Sequence, residues 1–396
     1  EALSLLGIAD GVLLLEADEI NTAIEVLKPR VLILGNEFKN NAEIQTALVQ
    51  QRLQGGTVRF HAGDAYYASA DLLSGSERDL LHNRSSLFTS ACRRQGIKQS
   101  HLLDAINAWG DTRLIVLGDT IVDQYAACEA IGMSAEAPVV VVRELERKNF
   151  IGGAAVVAAH ISALGAHCDF ISVVGADSTA ELVRQELAVQ GIGNGLSADP
   201  SRPTTLKKRY VVENQKLFRV SRLEEHNLDA DVEDQVIAQL QKLAPNADGI
   251  VVSDFVYGVV TPRILEVVHQ LAEQHNLLLF GDLQCSSQVG SVTRFKNFSL
   301  LCPNERETRI SLQDKDSGLE QLSQRLLQIT GCDRLVMKLG SEGFIAYDRT
   351  TQGPISSQAF PALSVNPLDV AGAGDSLLAL FATGLASGQA MMPTAA

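Results

Sequence analysis

The sequence predicts an α/β protein: two α/β units in series, with a small separate β-sheet standing over the second like a lid. Three observations carry this. Apolar strand-like runs alternate with helical patterns along most of the 396 residues, which is the grammar of a parallel sheet with helices on its faces. Four runs in the second unit stop at a polar residue, Asp119, Asp254, Asp282 and Asn304. Because ligands of open α/β sheets bind off the carboxyl ends of the strands, these four positions are expected to converge on one crevice. Two segments break the alternation. "APVVVVRELERKNF" and "TTLKKRYVVENQKLFRVS" read as extended strands rich in Val, Arg and Lys, which suits a lid apart from the main sheet.

Taken in order, residues 1–75 pass through "LSLLGIADGVLLLE" and "EINTAIEVLKP", the strand-like "RVLILGNEF", a helix over "AEIQTALVQQRLQ", a Gly-Gly break and "TVRFHAGD". Residues 76–111 are more polar. They predict a helical connector, with Leu102, Leu103, Ile106 and Trp109 at helical spacing. From Thr112 the second unit runs to residue 396, opening on "RLIVLGDTIVDQY" and continuing through "CDFISVVGAD", "DGIVVSDF", "NLLLFGDL", "SLLCPNE" and "RLVMKLGSEGFIAYD".

Composition excludes several functions. A net charge of −14 disfavours nucleic acid, whose affinity comes mainly from Lys and Arg on phosphates, and so favours small-molecule chemistry. No apolar run reaches the roughly 18 residues of a membrane span. Six scattered cysteines with no CxxC pair signal neither zinc nor a disulfide framework, and fit free thiols in a reducing cytoplasm. The chain starts at Glu1 without a Met and without a signal-peptide pattern, and both ends are expected to be truncated.

Four loops carry candidate chemistry. In "DVAGAGD", Asp369 to Asp375, only small residues separate two carboxylates ahead of an apolar helix. A ligand can reach the backbone N–H groups there, where the helix terminus favours an anion such as a phosphoryl group in transit, with Asp375 placed to accept a hydroxyl proton. The alternative is an Asp-capped glycine turn. Gly152 and Gly153 precede another helix, either to let a substrate lie on the backbone or for close helix packing. Asp119 and Asp123 in "GDTIVD" have the chemistry to grip sugar hydroxyls. Asn304 and Glu307 in "PNERE" are hard oxygen groups suited to Mg²⁺ and its waters. Each of these is equally a cap.

In this order the motifs resemble the PfkB, or ribokinase-like, family of carbohydrate kinases, over residues 112–396. The hallmarks are Gly152-Gly153 and the D-x-x-G-A-G-D segment at Asp369 to Asp375. The resemblance implies a three-layer αβα ribokinase-like domain with a small β lid. Within the family, "GDTIVDQY", "SAEAPVVVV", "ERKNFIGGAA", "PTTLKKRYVVENQKLFRV" and "SDFVYGVV" look most like the heptose-phosphate kinase domain of bifunctional kinase and nucleotidyltransferase proteins. Residues 1–75 resemble part of their Rossmann-like cytidylyltransferase domain, with the domain order reversed and the H-x-G-H motif absent from the chain.

Carried over by position, the resemblance implies Asp375 as general base, with the backbone of Gly372, Ala373 and Gly374 as anion hole. Asp119, Asp123, Gly152 and Gly153 would bind the sugar, and Lys207 and Arg209 its phosphate. The loop from Lys338 through Gly340 to Gly343, with Asp369, would line the ATP site, and Asn304 and Glu307 would place Mg²⁺. For Lys207 and Arg209 the alternative is charge that protects an edge strand. A homodimer through the lid is a further expectation. The chain departs from the family pattern at Val156, where an Asn is expected, and at Tyr257 and Gln284, where Lys is expected. Three readings follow: an ATP-dependent kinase of a sugar or sugar phosphate, a catalytically decayed binding or scaffold protein, and a bifunctional kinase and nucleotidyltransferase.

Overall fold

The computed structural model describes residues 12–13, 19–35, 44–53, 55–62, 77–213, 215–284, 290–350, 355–364, 367 and 370–396. The first unit holds α1 (Glu19–Leu27), β1 (Val31–Gly35), α2 (Gln45–Leu53) and β2 (Thr57–Ala62), with β1 and β2 parallel, as the alternating pattern predicts. The segment "LSLLGIADGVLLLE" lies outside the described residues except for Val12 and Leu13.

The connector is helical, as α3 (Glu77–Arg94) and α4 (Gln99–Asn107). It docks differently from the spacing argument. Leu103 and Ile106 are 56% and 48% exposed, and only Trp109 of the expected face is buried. The anchor is α3, where Ala91 is buried and the Phe88 ring lies 6.3 Å from that of Phe360.

The second unit then runs β3 (Arg113–Gly118), β4 (Thr120–Met133), β5 (Val140–Gly153), α5 (Ala154–Ala163), β6 (His167–Val174), α6 (Ser178–Val189), β7 (Gly193–Ala198), β8 (Thr205–Val212) and β9 (Gln215–Arg222). It continues with α7 (Ala230–Leu243), β10 (Gly249–Asp254), α8 (Pro262–His275), β11 (Leu278–Leu283), β12 (Leu300–Leu301), α9 (Glu305–Leu312) and α10 (Leu319–Thr330). The last elements are β13 (Arg334–Lys338), β14 (Phe344–Asp348), β15 (Ser356–Phe360), α11 (Ala373–Ala386) and α12 (Met391–Thr394). Nine strands form the main sheet in the order β15-β14-β13-β12-β11-β10-β3-β6-β7, with β14 and β15 antiparallel at one side and the rest parallel.

Both faces of this sheet are covered, which is why its strands read as continuous apolar runs. Along β3, Ile115 and Leu117 pack into the core under α7, α8 and α10, while Leu114 and Val116 pack into the core under α5, α6 and α11. Alternate residues thus serve opposite layers, as the two-residue period of a strand requires.

The lid has four strands, in the order β5-β4-β8-β9. The sequence segments singled out for it supply β5, β8 and β9. The fourth strand, β4, is the stretch read as the tail of β3, because one residue, Asp119, separates the two strands.

Asp119 is 1% exposed and holds a loop in place. The backbone N–H groups of Phe255, Val259 and Tyr257 donate to its carboxylate at 2.7, 3.3 and 3.4 Å. Arg202, ion-paired with Asp199 at 2.8 Å, donates to the Tyr257 and His226 carbonyls at 2.9 and 2.7 Å and ties the same loop from the other side. Removing the Asp119 carboxylate strands up to three buried donors, each costing about 1–3 kcal/mol. Asp119→Ala is therefore expected to lose about 3 kcal/mol or more in urea unfolding, and Asp119→Asn, which keeps one acceptor, distinctly less. Equal, small losses for both would show that the carboxylate does not hold the loop.

Candidate active site

A crevice of about 930 Å³ opens between the head of α11, the start of α5 and the inner face of the lid. Its base is set by the small residues before α11. Gly372 caps the helix at φ +80°, a left-handed conformation that glycine adopts without penalty, and Ala373 and Gly374 keep the first turn bare. Asp375 follows in that turn, 6% exposed and lining the crevice, with its Oδ1 accepting from Gln284 Nε2 at 2.6 Å. Burial, reinforced by the charge of Asp282, pushes the Asp375 carboxyl up to about 7, against the opposing pull of Lys338 and the Gln284 bond. A carboxyl titrating near neutrality suits proton transfer at neutral pH. The proposed anion hole is narrower than the sequence implies, because the Ala373 N–H already donates to the Val370 carbonyl at 3.2 Å. Asp369 lies outside the described residues.

The roof of the crevice is cationic. Lys207 is 4% exposed, with its ammonium 5.2 and 5.7 Å from the Tyr257 and Phe255 ring centroids, a cation–π seat that holds a desolvated charge. Arg209 pairs with Asp123 and lies 5.3 Å over the Tyr125 ring. Both cations sit on β8, which is flanked by β4 and β9, so the edge-protection reading does not apply to them. Gly152 and Gly153 form the root of the lid. A Cβ on Gly152 would come within 2.5 Å of Asp123 Oδ2, and one on Gly153, at φ +63°, within 2.4 Å of the Asp119 carbonyl oxygen. Close backbone approach and positive φ require the glycine at 153, whereas at 152 the conflict is with the Asp123 side chain; Gly153 also lines the crevice.

The four polar strand ends do not meet in this crevice. Asp119 and Asp254 are buried behind it, Asp254 paired with Arg294 at 2.9 Å. Asp282, also buried, accepts from Lys338 Nζ on both carboxylate oxygens, at 2.9 and 2.8 Å. The sugar-gripping reading of Asp119 is therefore corrected. Its carboxylate is spent on backbone donors, and Asp123 is the member of that pair that reaches the cavity.

Asn304 faces a second cavity, of about 850 Å³, together with Arg306, Arg309, Lys338 and Gly340. Gly340 and Gly343 shape the turn after β13 with φ +60° and +97°, and a Cβ on Gly343 would meet the Phe360 carbonyl oxygen at 2.1 Å. Asn304 and Glu307 form a capping box on α9: the Glu307 N–H donates to Asn304 Oδ1, and the Asn304 N–H to Glu307 Oε2, each at 2.8 Å. Among the described residues no group of three or more His, Cys, Asp or Glu side chains is placed to hold a metal. The pair therefore does not fit a direct magnesium cage.

Several lining residues carry no motif. His160 Nε2 and Ser376 Oγ lie 2.8 Å apart, and burial holds the imidazole below its usual range. His160 stands four residues after Val156, on the same helix face, and Ser376 directly follows Asp375, so spacing alone points at both. Lys148 and Arg219 add charge to the lid wall. Of the departures, Val156 and Gln284 line the crevice, and Tyr257 is buried under Lys207.

The family of pfkB carbohydrate kinases matches residues 111–392, and the chain belongs to that family. It is 32% identical over 285 residues to the D-beta-D-heptose 7-phosphate kinase of Bordetella bronchiseptica, covering 70% of this chain and 87% of that one. It is 30% identical over 281 residues to the bifunctional protein HldE of Trichlorobacter lovleyi, of whose length it spans 55%. The fold is similar to the tetrameric inhibited form of Escherichia coli phosphofructokinase-2, with TM-score 0.58, 17% identity, and 71% of this chain and 89% of that chain covered. It is likewise similar to Arabidopsis thaliana ribokinase complexed with ribose and ATP, with TM-score 0.55, 18% identity, and 72% and 89% covered. The αβα ribokinase-like architecture follows from these neighbours.

Because the folded-state pKa of Asp375 lies above its unfolded value, the group stabilises fully below about pH 4, and that contribution is lost as pH rises through about 7. Asp375→Asn is expected to melt above the wild type at about pH 8, with the gap closing toward pH 4. A lower melting temperature for the variant at pH 8 would contradict the buried, destabilised carboxylate.

Proposed function

We propose that this pfkB-family protein transfers the γ-phosphoryl group of ATP to a hydroxyl of a sugar phosphate, a heptose phosphate being the favoured class. The observation that carries the reading is the placement of Asp375: a carboxylate tuned to neutrality in the first turn of α11, at the base of a crevice whose roof is cationic. Asp375 takes the proton of the attacking hydroxyl. The head of α11 faces the phosphoryl oxygens, where first-turn N–H groups and the helix dipole favour developing negative charge. Lys207 and Arg209, with Lys148 and Arg219 beside them, face the phosphate already on the substrate. Asp123 orients Arg209 and presents its free side to sugar hydroxyls.

Asn304 and Glu307 would act on a magnesium ion bound with ATP through its waters, since the cap occupies Asn304 Oδ1 and Glu307 Oε2, and the ion would supply charge neutralisation at the phosphates. The substrate class rests on the name of the Bordetella relative. Residues 1–75 are read as part of a cytidylyltransferase-like domain, residues 76–111 as its connector and residues 112–396 as the kinase domain. The outer lid, where Ile131, Met133, Val140 and Phe218 are exposed, is the surface for a homodimer. No helix among the described residues is long and apolar enough to cross a membrane, and a cytoplasmic site of action is part of this reading.

A second reading, a ligand-binding protein that has lost catalysis, is favoured by Val156 and Gln284, which put an apolar and a neutral group on the crevice wall. A third, a bifunctional enzyme, draws on the bifunctional relatives alone. ADP release by the full-length protein with Mg-ATP, across a panel of sugars and sugar phosphates, separates the first two. The kinase reading expects turnover dependent on one sugar phosphate, reduced by about 10²–10⁴-fold in Asp375→Asn, as for loss of a general base. Because the base must be ionised, kcat/KM is expected to rise with pH through about 7. Absence of turnover across the panel in folded protein would favour the binding-only reading.

A further inference from the structure

Lys338 stands where the two cavities come together. It lines the second cavity, beside Asn304 and Gly340, and its ammonium lies 3.3 Å from where a Cβ on Gly374 would be. Gly374 belongs to the head of α11, whose neighbours Ala373 and Asp375 line the first cavity. Any side chain at position 374 would therefore come between the cation and the helix terminus. The ammonium is held on both oxygens of Asp282, which is buried, and a buried pair of this kind is costly to build without a use. The Gln284 side chain bonds to Asp282 and donates to Asp375. Lys338, Asp282, Gln284 and Asp375 thus form a polar chain from one cavity to the other.

We propose that Lys338 is a catalytic residue that contacts the phosphoryl group as it passes from the nucleotide cavity to the sugar cavity. The inference rests on the kinase reading and adds to it the group that neutralises charge at the point of transfer. In that step the substrate hydroxyl oxygen bonds to the γ-phosphorus, and the bond from phosphorus to the β,γ-bridging oxygen breaks. The hydroxyl proton goes to Asp375, and ADP leaves with the electron pair of the broken bond. Lys338 remains an ammonium throughout, and Asp282 fixes its position. The chain departs from its family's pattern at Gln284, so the cation reaches the site from the carboxyl end of β13 instead of from the turn after β11.

Lys338→Met leaves Asp282 buried and unpaired and is at risk of misfolding, so the informative variant is Lys338→Met/Asp282→Asn, which removes both charges together. In the full-length protein the expected result is a wild-type melting temperature, a kcat for the sugar phosphate reduced at least 100-fold and a KM for that sugar changed less than threefold. A kcat within threefold of wild type would overturn the proposal. Acidic groups facing Asp375 are Asp282 and Asp123, with Lys338 the opposing charge. Adding Gln284→Lys to the double variant returns a cation beside Asp375. It is expected to recover at least tenfold in kcat, and no recovery would count against a charge role. If the wild type binds Mg-ATP in calorimetry without turning over any sugar, the kinase reading fails while Lys338 remains testable. A Kd weakened tenfold or more in the double variant would support contact with the phosphates, and an unchanged Kd would overturn it. A wild type that neither turns over nor binds Mg-ATP overturns both.

Discussion

Three carboxylates buried at the carboxyl edge of the main sheet set the geometry above it. Each lies at or next to the carboxyl end of a strand, and each is bound to a different partner. Asp119 is hydrogen-bonded by backbone donors of the loop after β10, while Asp254 is ion-paired with Arg294 and Asp282 with Lys338. A buried carboxylate without such a partner is expensive, so each one dictates where its partner must lie. The loop carrying Phe255 and Tyr257, the turn after β13 and the root of the lid all take their positions from these bonds. Substrate-facing groups then stand one layer out, on backbone that the buried acids have already fixed.

The same acids shape the electrostatics of the crevice. Burial raises the proton affinity of Asp375 most, Asp282 adds to it by repulsion, and Lys338 restrains it. On the opposite wall, the Lys207 ammonium is buried against two aromatic rings. The division of labour is spatial: a proton acceptor below, cations above, and a bare helix terminus between them.

Much of this was legible in the sequence, and what was not has identifiable causes. The main-sheet strands were readable because burial on both faces leaves long runs such as "RLIVLG" and "GIVVSD". The head of α11 was readable because only small residues permit that approach. Strand β4 was missed because nothing in "GDTIVDQY" marks the change of sheet at Asp119, where a single residue turns the chain. The four-residue register of Asn304 and Glu307 is the signature of a capping box as much as of a hard-ion site, and the structure resolves the local bonds in favour of the cap. The pairing of Lys338 with Asp282 joins residues 56 positions apart, and no local pattern could announce it.

Among the described residues, the lid is joined to the body at one end. Its two long strands, β4 and β5, meet the main domain where Thr120 pairs with Gly153, next to Asp119, and run outward for 14 residues each. At roughly 3.3 Å per residue such a strand reaches about 43 Å, so a turn of about 10° at its base sweeps the far end through about 7 Å. Asp123 and Lys207 sit near the base and the exposed Ile131 and Met133 near the tip. The sheet is therefore a lever with its short arm over the crevice. Pressure on the tip would be delivered to the cationic roof reduced in distance and increased in force.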